Sequence, residues 1–157
     1  MWAALQHAEW VTILATSRWL FGLVLVVHYV ALFSCIGTIV LLDLRILGVA
    51  ERNHALPAFA EQLRPWTLIG FGAVVVSGFL LFATEAADYA AVTPFHVKML
   101  IVAMGLISAL AIEWSVPRWS RAPVIPLTAK LLAVTSIALW LGAILAAVEI
   151  APLTGLG

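Results

Sequence analysis

Apolar residues run through this chain in four long blocks, and the polar residues collect between them. Trp19 to Leu42 contains no formally charged side chain and is bounded by Arg18 on one side and by Asp43 and Arg45 on the other. Pro65 to Ala83, Pro94 to Glu113 and Leu127 to Val148 repeat the pattern. Because a helix rises about 1.5 Å per residue, roughly 20 apolar residues cross a hydrocarbon core about 30 Å thick. The blocks therefore predict transmembrane helices over about 19–42, 65–83, 94–113 and 127–148. Pro65, Pro94 and Pro126 each stand at a predicted start, where the first turn has no intrahelical use for the missing N–H. They mark starts rather than kinks.

The flanking segments are shorter and more polar. Ahead of the first block, Trp2, Leu5, Trp10, Ile13 and Leu14 alternate with Gln6, His7, Glu9 and Thr12, the pattern of a short helix lying along the membrane interface or of an extension of the first span. Leu47 to Leu63 carries Glu51, Arg52, His54 and Glu61 among alanines and leucines, which predicts a short surface helix between the first two spans. Met1 to His7 has no basic n-region and no cleavage site after a short apolar core, so the start is expected to be retained. The fold class expected is all-α, an integral membrane four-helix bundle forming one domain over 1–157.

Composition narrows the function. Only 10% of residues are charged, against about 25% in an ordinary soluble domain, so nearly all of the chain is membrane domain. Eight basic and eight acidic residues cancel and leave no basic surface to neutralise phosphates, which sets nucleic acid aside. Cys35 is the single cysteine, so an internal disulfide or a paired-cysteine zinc site is excluded. No GxSxG, Walker, Rossmann or HExxH motif occurs, and the spans hold too few polar residues for a stepwise proton pathway.

Charge also predicts an orientation, because loops rich in Lys and Arg stay on the cytoplasmic side. Arg45, Arg52 and Arg64 lie in or beside the first connection, and Arg118, Arg121 and Lys130 in or beside the third. The second connection holds Glu85 and Asp88, and Arg18 and Lys98 are the positives near that opposite face. Both termini are then expected on the outer side. Trp19, Trp66, Trp114 and Trp119 fall near predicted helix ends, as aromatic belts do. Small residues at spacing four, Ala138, Gly142 and Ala146 in the last span and Ala73 with Ser77 in the second, predict close helix approach within the bundle or against a protein partner or second copy.

An ionisable residue inside a span is a functional candidate, since polar groups are costly in hydrocarbon. His28 lies about ten residues, roughly 15 Å, into the first span; it reads either as a functional group or as a neutral histidine bonded to a neighbouring helix. His96 and Lys98, in Phe95-His96-Val97-Lys98 at the start of the third span, suit a haem axial base and a propionate partner; they equally suit interfacial groups that reach toward water. His28 and His96 differ in depth by roughly 10 Å. Met104 lies nearer the depth of His28 as a competing ligand, and Met99 is one turn from His96, where the two make a soft copper pair. Cys35 shares the helix face of His28. Asp43 and Arg45 suit an ion pair with Arg64 or Glu113 that fixes helix packing, and Glu113 and Glu149 are expected at the interface.

The first span with His28 closing in Leu42-Asp43-Leu44-Arg45-Ile46-Leu47-Gly48, Arg64-Pro65-Trp66 opening a span that ends Gly78-Phe79-Leu80-Leu81-Phe82, and Phe95-His96-Val97-Lys98 together resemble a family of uncharacterised bacterial four-helix membrane proteins. That family is similar in turn to the copper-resistance protein D membrane domain and to HemJ-type protoporphyrinogen oxidase. The resemblance covers most of residues 18–148. It implies a bundle in the bacterial inner membrane that binds b-type haem through His28 and His96, with Lys98 beside the latter. It does not carry over oxidase activity, because the polar residues a porphyrinogen substrate needs are missing. A haem electron carrier or cytochrome-like subunit is the first expectation, more a redox subunit than a stand-alone enzyme. A cofactor-free accessory subunit of a larger membrane complex and a copper-handling protein are the alternatives.

Overall fold

The structure, a computed structural model, describes residues 1–50, 53–122 and 124–154. Seven helices follow in chain order: α1 Trp2–Gln6, α2 Glu9–Thr16, α3 Arg18–Leu47, α4 Leu56–Thr84, α5 Ala86–Ala91, α6 Thr93–Trp119 and α7 Leu127–Thr154. Four of them, α3, α4, α6 and α7, are long and apolar enough to cross a membrane. The chain is a multi-pass, all-helical membrane protein.

Local chemistry sets the ends of the first span. Ser17 precedes α3 with its side chain accepting from the Leu20 amide at 3.4 Å, which satisfies one of the unpaired N–H groups of the first turn. At the other end Gly48 takes a left-handed φ of 75°, and the following amide of Val49 bonds back to the Leu44 carbonyl at 2.9 Å. A residue with a side chain would be strained there.

The second span differs from its expected limits. Residues 56–64 are not a separate surface helix but the opening turns of α4, and Pro65 lies inside that helix. The helix-start proline is Pro57 instead. Leu56, Phe59 and Ala60 are buried in the core with Leu63 packed against it, and this spacing is that of one helical face, so packing carries the helix through Pro65. Glu51 and Arg52 of the predicted surface helix lie outside the described residues, as does the side chain of Glu149. Pro94 does open α6, while Pro117 sits within its last turns. The second connection, read from sequence only as acidic, contains the short helix α5.

The spans associate as two tight pairs, α3 with α4 and α6 with α7, joined chiefly along α3 and α7, while α4 and α6 touch sparsely. At the α3–α4 crossing a Cβ on Gly70 would lie 2.9 Å from the Cys35 amide nitrogen, so glycine permits this approach of two backbones. The buried stripe of α7 is Ala129, Ala133, Ser136, Trp140 and Ala143. Ala138, expected in that stripe, is exposed.

The two ends of the bundle are built differently. The end carrying Arg45, Arg64, Arg118 and Arg121, here the basic end, holds a core of Leu42, Ile46, Leu56, Phe59, Ala60, Ile112, Val116, Ala129 and Ala133. The opposite, capped end is closed by α1, α2 and α5. Val11 and Leu14 of α2 are buried there, Trp2 meets Phe82 edge-on at 5.3 Å, and the Gln6 side-chain oxygen accepts from the Ala87 amide at 3.0 Å in the first turn of α5. Beneath this cap the buried residues of the spans are small: Ala31 of α3, Ser77 and Ala83 of α4, and Ala143 of α7.

Candidate functional site

His28 lies in the capped half, where the buried residues of the spans are small. Its Nδ1 is 2.9 Å from Ser77 Oγ on α4, and Ser77 Oγ is itself 2.5 Å from the Ala73 carbonyl oxygen. A hydroxyl has one proton, and a carbonyl can only accept, so the Ser77 proton goes to Ala73. Ser77 must then accept from His28 Nδ1–H. This assigns the tautomer from the hydrogen-bond network and leaves Nε2 with a lone pair that no described residue engages.

Gly78 holds the ring from the other side. A Cβ at that position would stand 3.1 Å from His28 Cε1, so the imidazole occupies volume that any larger residue would claim. Ser77, with 3% of its surface exposed, and Gly78 thus position the imidazole through a hydrogen bond and a steric fit, the way second-layer groups orient a histidine that ligates a metal. An apolar groove of about 420 Å³ runs beside this pair between Leu23, Val24 and Val27 of α3 and Gly72, Val76 and Leu80 of α4, with Ser77 in its wall.

Lys98 of α6 is partly buried on the inward side of its helix. Its Nζ lies 5.1 Å from the centroid of the Phe95 ring, within cation–π range. His96 is placed otherwise. Two residues correspond to about 200° of helix, so with Lys98 turned inward the His96 ring is exposed on the other side of α6. Its Nδ1–H donates to the Val92 carbonyl at 3.1 Å, and its Nε2 is likewise unused among the described residues. The structure thus turns Lys98, not His96, away from the outer surface of α6. Met99 and Met104 are 47% and 48% exposed, and so stand on the outward surface of α6. Among the described residues no group of three or more His, Cys, Asp or Glu side chains is placed to hold a metal ion.

The remaining polar candidates sit at the other end. Arg64 Nε pairs with Glu113 Oε1 at 3.4 Å, joining α4 to α6. Asp43, expected in such a pair, is instead fully buried, and Arg45 donates from Nε and Nη2 to the His54 carbonyl at 3.1 and 2.6 Å. Cys35 is buried against Ile39 and Trp140 as a small apolar residue.

Sequence reasoning missed Ser77 and Gly78 as partners of His28. The Ser77 signal was present as a small residue in a helix-contact stripe, but its partner stands 49 residues away.

No curated protein and no solved structure matches the chain. The sequence pattern of one family runs through residues 13–151, which includes all four spans up to the last turn of α7, His28 with its Ser77 partner, and Lys98. The chain therefore belongs to a family of unknown function, DUF6644.

Proposed function

We propose that this protein is a membrane-embedded b-type haem protein that carries electrons within a redox complex, with His28 as axial ligand and Lys98 as partner of a haem propionate. One observation carries the reading: Nδ1–H of His28 is committed to Ser77, so Nε2, the atom that would ligate iron, keeps a lone pair that no described residue engages. Axial histidines are held in this manner by a hydrogen bond on the far nitrogen. The small buried residues of the capped half and a partly buried cation at Lys98 suit a large, flat, dianionic group. Haem supplies one-electron exchange when bound; the chain supplies the ligand, its orientation and the counter-charge.

His96 is the candidate second ligand, and its exposed position ranks it below His28. The distribution of Arg45, Arg64, Arg118, Arg121 and Lys130 against Arg18 and Lys98 supports a bacterial inner-membrane setting with the basic end inside and the capped end outside. The apolar outer surfaces suit lipid together with a partner subunit.

An absorption spectrum of the full chain, purified in detergent after growth with sufficient haem, tests the reading. A Soret band that shifts on reduction is expected, lost in His28→Ala and weakened in Lys98→Ala. His96→Ala should convert a six-coordinate into a five-coordinate spectrum if His96 supplies the second ligand, and leave it unchanged otherwise. A folded preparation without haem overturns the proposal in favour of a cofactor-free accessory subunit. Copper retained through His96 and Met99, which lie one turn apart on the same exposed side of α6, would instead favour copper handling.

A further inference from the structure

Asp43 is the one buried charged residue among the described residues, with none of its surface exposed. Neither carboxyl oxygen has a hydrogen-bond partner there, and the same holds for Ser136 Oγ and Trp140 Nε1. These four atoms follow one seam. The Ser136 hydroxyl faces the Asp43 carboxyl as its nearest donor, without reaching full hydrogen-bond geometry, and Trp140 comes one turn later on the same face of α7. Trp140 packs with Ile39 and Cys35, which precede Asp43 by one and two turns on α3.

Charges nearby are already engaged. Arg64 is paired with Glu113, and Arg45 is spent on the His54 carbonyl. A bare carboxylate shut away from water and from donors is among the costliest arrangements a protein can hold, so something must neutralise it. A proton would supply a donor to one oxygen and leave Trp140 Nε1 unmatched. A cation resting on the two Asp43 oxygens and Ser136 Oγ, with one water of its shell accepting from Trp140, accounts for all four atoms together.

The donor set selects the ion. The ligands are all oxygen, which favours a hard cation, and one carboxylate balances one charge. Divalent calcium takes about 6–8 oxygen ligands, several of them acidic, and no cluster of that kind occurs among the described residues. Asp43 stands four residues before the end of α3, about 6 Å along the axis, so the approach is from the basic end.

We propose that Asp43 and Ser136 form an intramembrane binding site for a small monovalent cation of the Na⁺ class, closed on its far side by Trp140. The proposal is independent of haem. It is tested by thermal unfolding of the full chain in detergent, titrated with NaCl against choline chloride at constant ionic strength. A ligand that binds only the folded state raises the unfolding temperature saturably, and the wild type should show this rise. Asp43→Asn should unfold at a temperature that ignores Na⁺. Ser136→Ala keeps the carboxylate and should raise the half-saturating Na⁺ concentration by about tenfold or more, which decides the matter if Asp43→Asn does not fold. Wild type and Asp43→Asn responding alike to Na⁺ would overturn the site. So would a wild type whose unfolding follows pH and ignores Na⁺, since a proton would then neutralise Asp43.

Discussion

The two halves of the bundle are both built from apolar spans, but they bury side chains of different size. At the basic end Leu42, Ile46, Phe59, Ile112 and Val116 turn inward and interlock. At the capped end the large residues of the spans turn outward, Val30 with 62% and Phe33 with 77% of their surface exposed, the buried span positions hold Ala31, Ser77, Ala83 and Ala143, and the large buried side chains, Val11 and Leu14, come from α2. In lipid, facing outward costs an apolar side chain little, since the surroundings are as apolar as the interior. Large buried side chains of the spans are therefore concentrated at the basic end and small ones at the capped end. His28 and Lys98 lie in the capped half and Asp43 and Ser136 in the basic one.

The largest expected effect tests that contrast directly. Ile112, 1% exposed in the packed core, should cost about 2–5 kcal/mol when changed to Ala. Val26, 60% exposed in the capped half, should cost under about 0.5 kcal/mol by the same change. Unfolding in mixed detergent micelles measures both. Equal costs would show that the capped half is packed by contacts with a partner, and the contrast would fail.

A middle effect falls on the site and not on stability. Gly78→Ala places a methyl group 3.1 Å from His28 Cε1, and the ring must shift by a few tenths of an ångström, which disturbs its hydrogen bond with Ser77. Disturbing such an orienting contact typically weakens metal affinity by about 10–100-fold, so haem retention should fall while the unfolding temperature barely moves. Haem binding at wild-type strength in Gly78→Ala would place the ligand elsewhere than His28.

How much of this was legible beforehand divides along the same line. The four spans were readable because charged residues bound each apolar run, and Pro94 and Pro126 mark their starts. Pro65 misled because a proline nine residues inside a helix looks, in sequence, like one at its beginning; burial of Leu56, Phe59 and Ala60 decided for Pro57. His28 stood out as the one histidine in a block without formal charge. That it is held by Ser77 and Gly78 depends on the register between α3 and α4, which no local pattern encodes. Helical spacing shows that His96 and Lys98 cannot both face inward, but only packing chooses Lys98. Asp43 read as one half of an ion pair because acids near span ends usually are; its burial against α7 follows from long-range contact alone.

The smallest effect concerns the cap. Burial, and then the neighbouring Asp88 carboxylate, push Glu85 above the usual Glu range, partly opposed by a hydrogen bond with Tyr89. The folded cap thus holds the Glu85 proton more tightly than the unfolded chain does. Below the ordinary Glu value, about 4.3, both states are protonated and this contribution to stability is fully present. It is lost as pH rises through that value to the raised one, because the unfolded chain then ionises more readily. Glu85 is partly exposed, so water screens the effect to under about 1 kcal/mol. Glu85→Gln should remove this loss, giving a variant whose unfolding temperature no longer falls across that interval and exceeds the wild type above it. Unfolding of both proteins at stepped pH measures the difference. An unchanged pH slope in the variant would sink the idea that burial governs the charge of Glu85 in this connection.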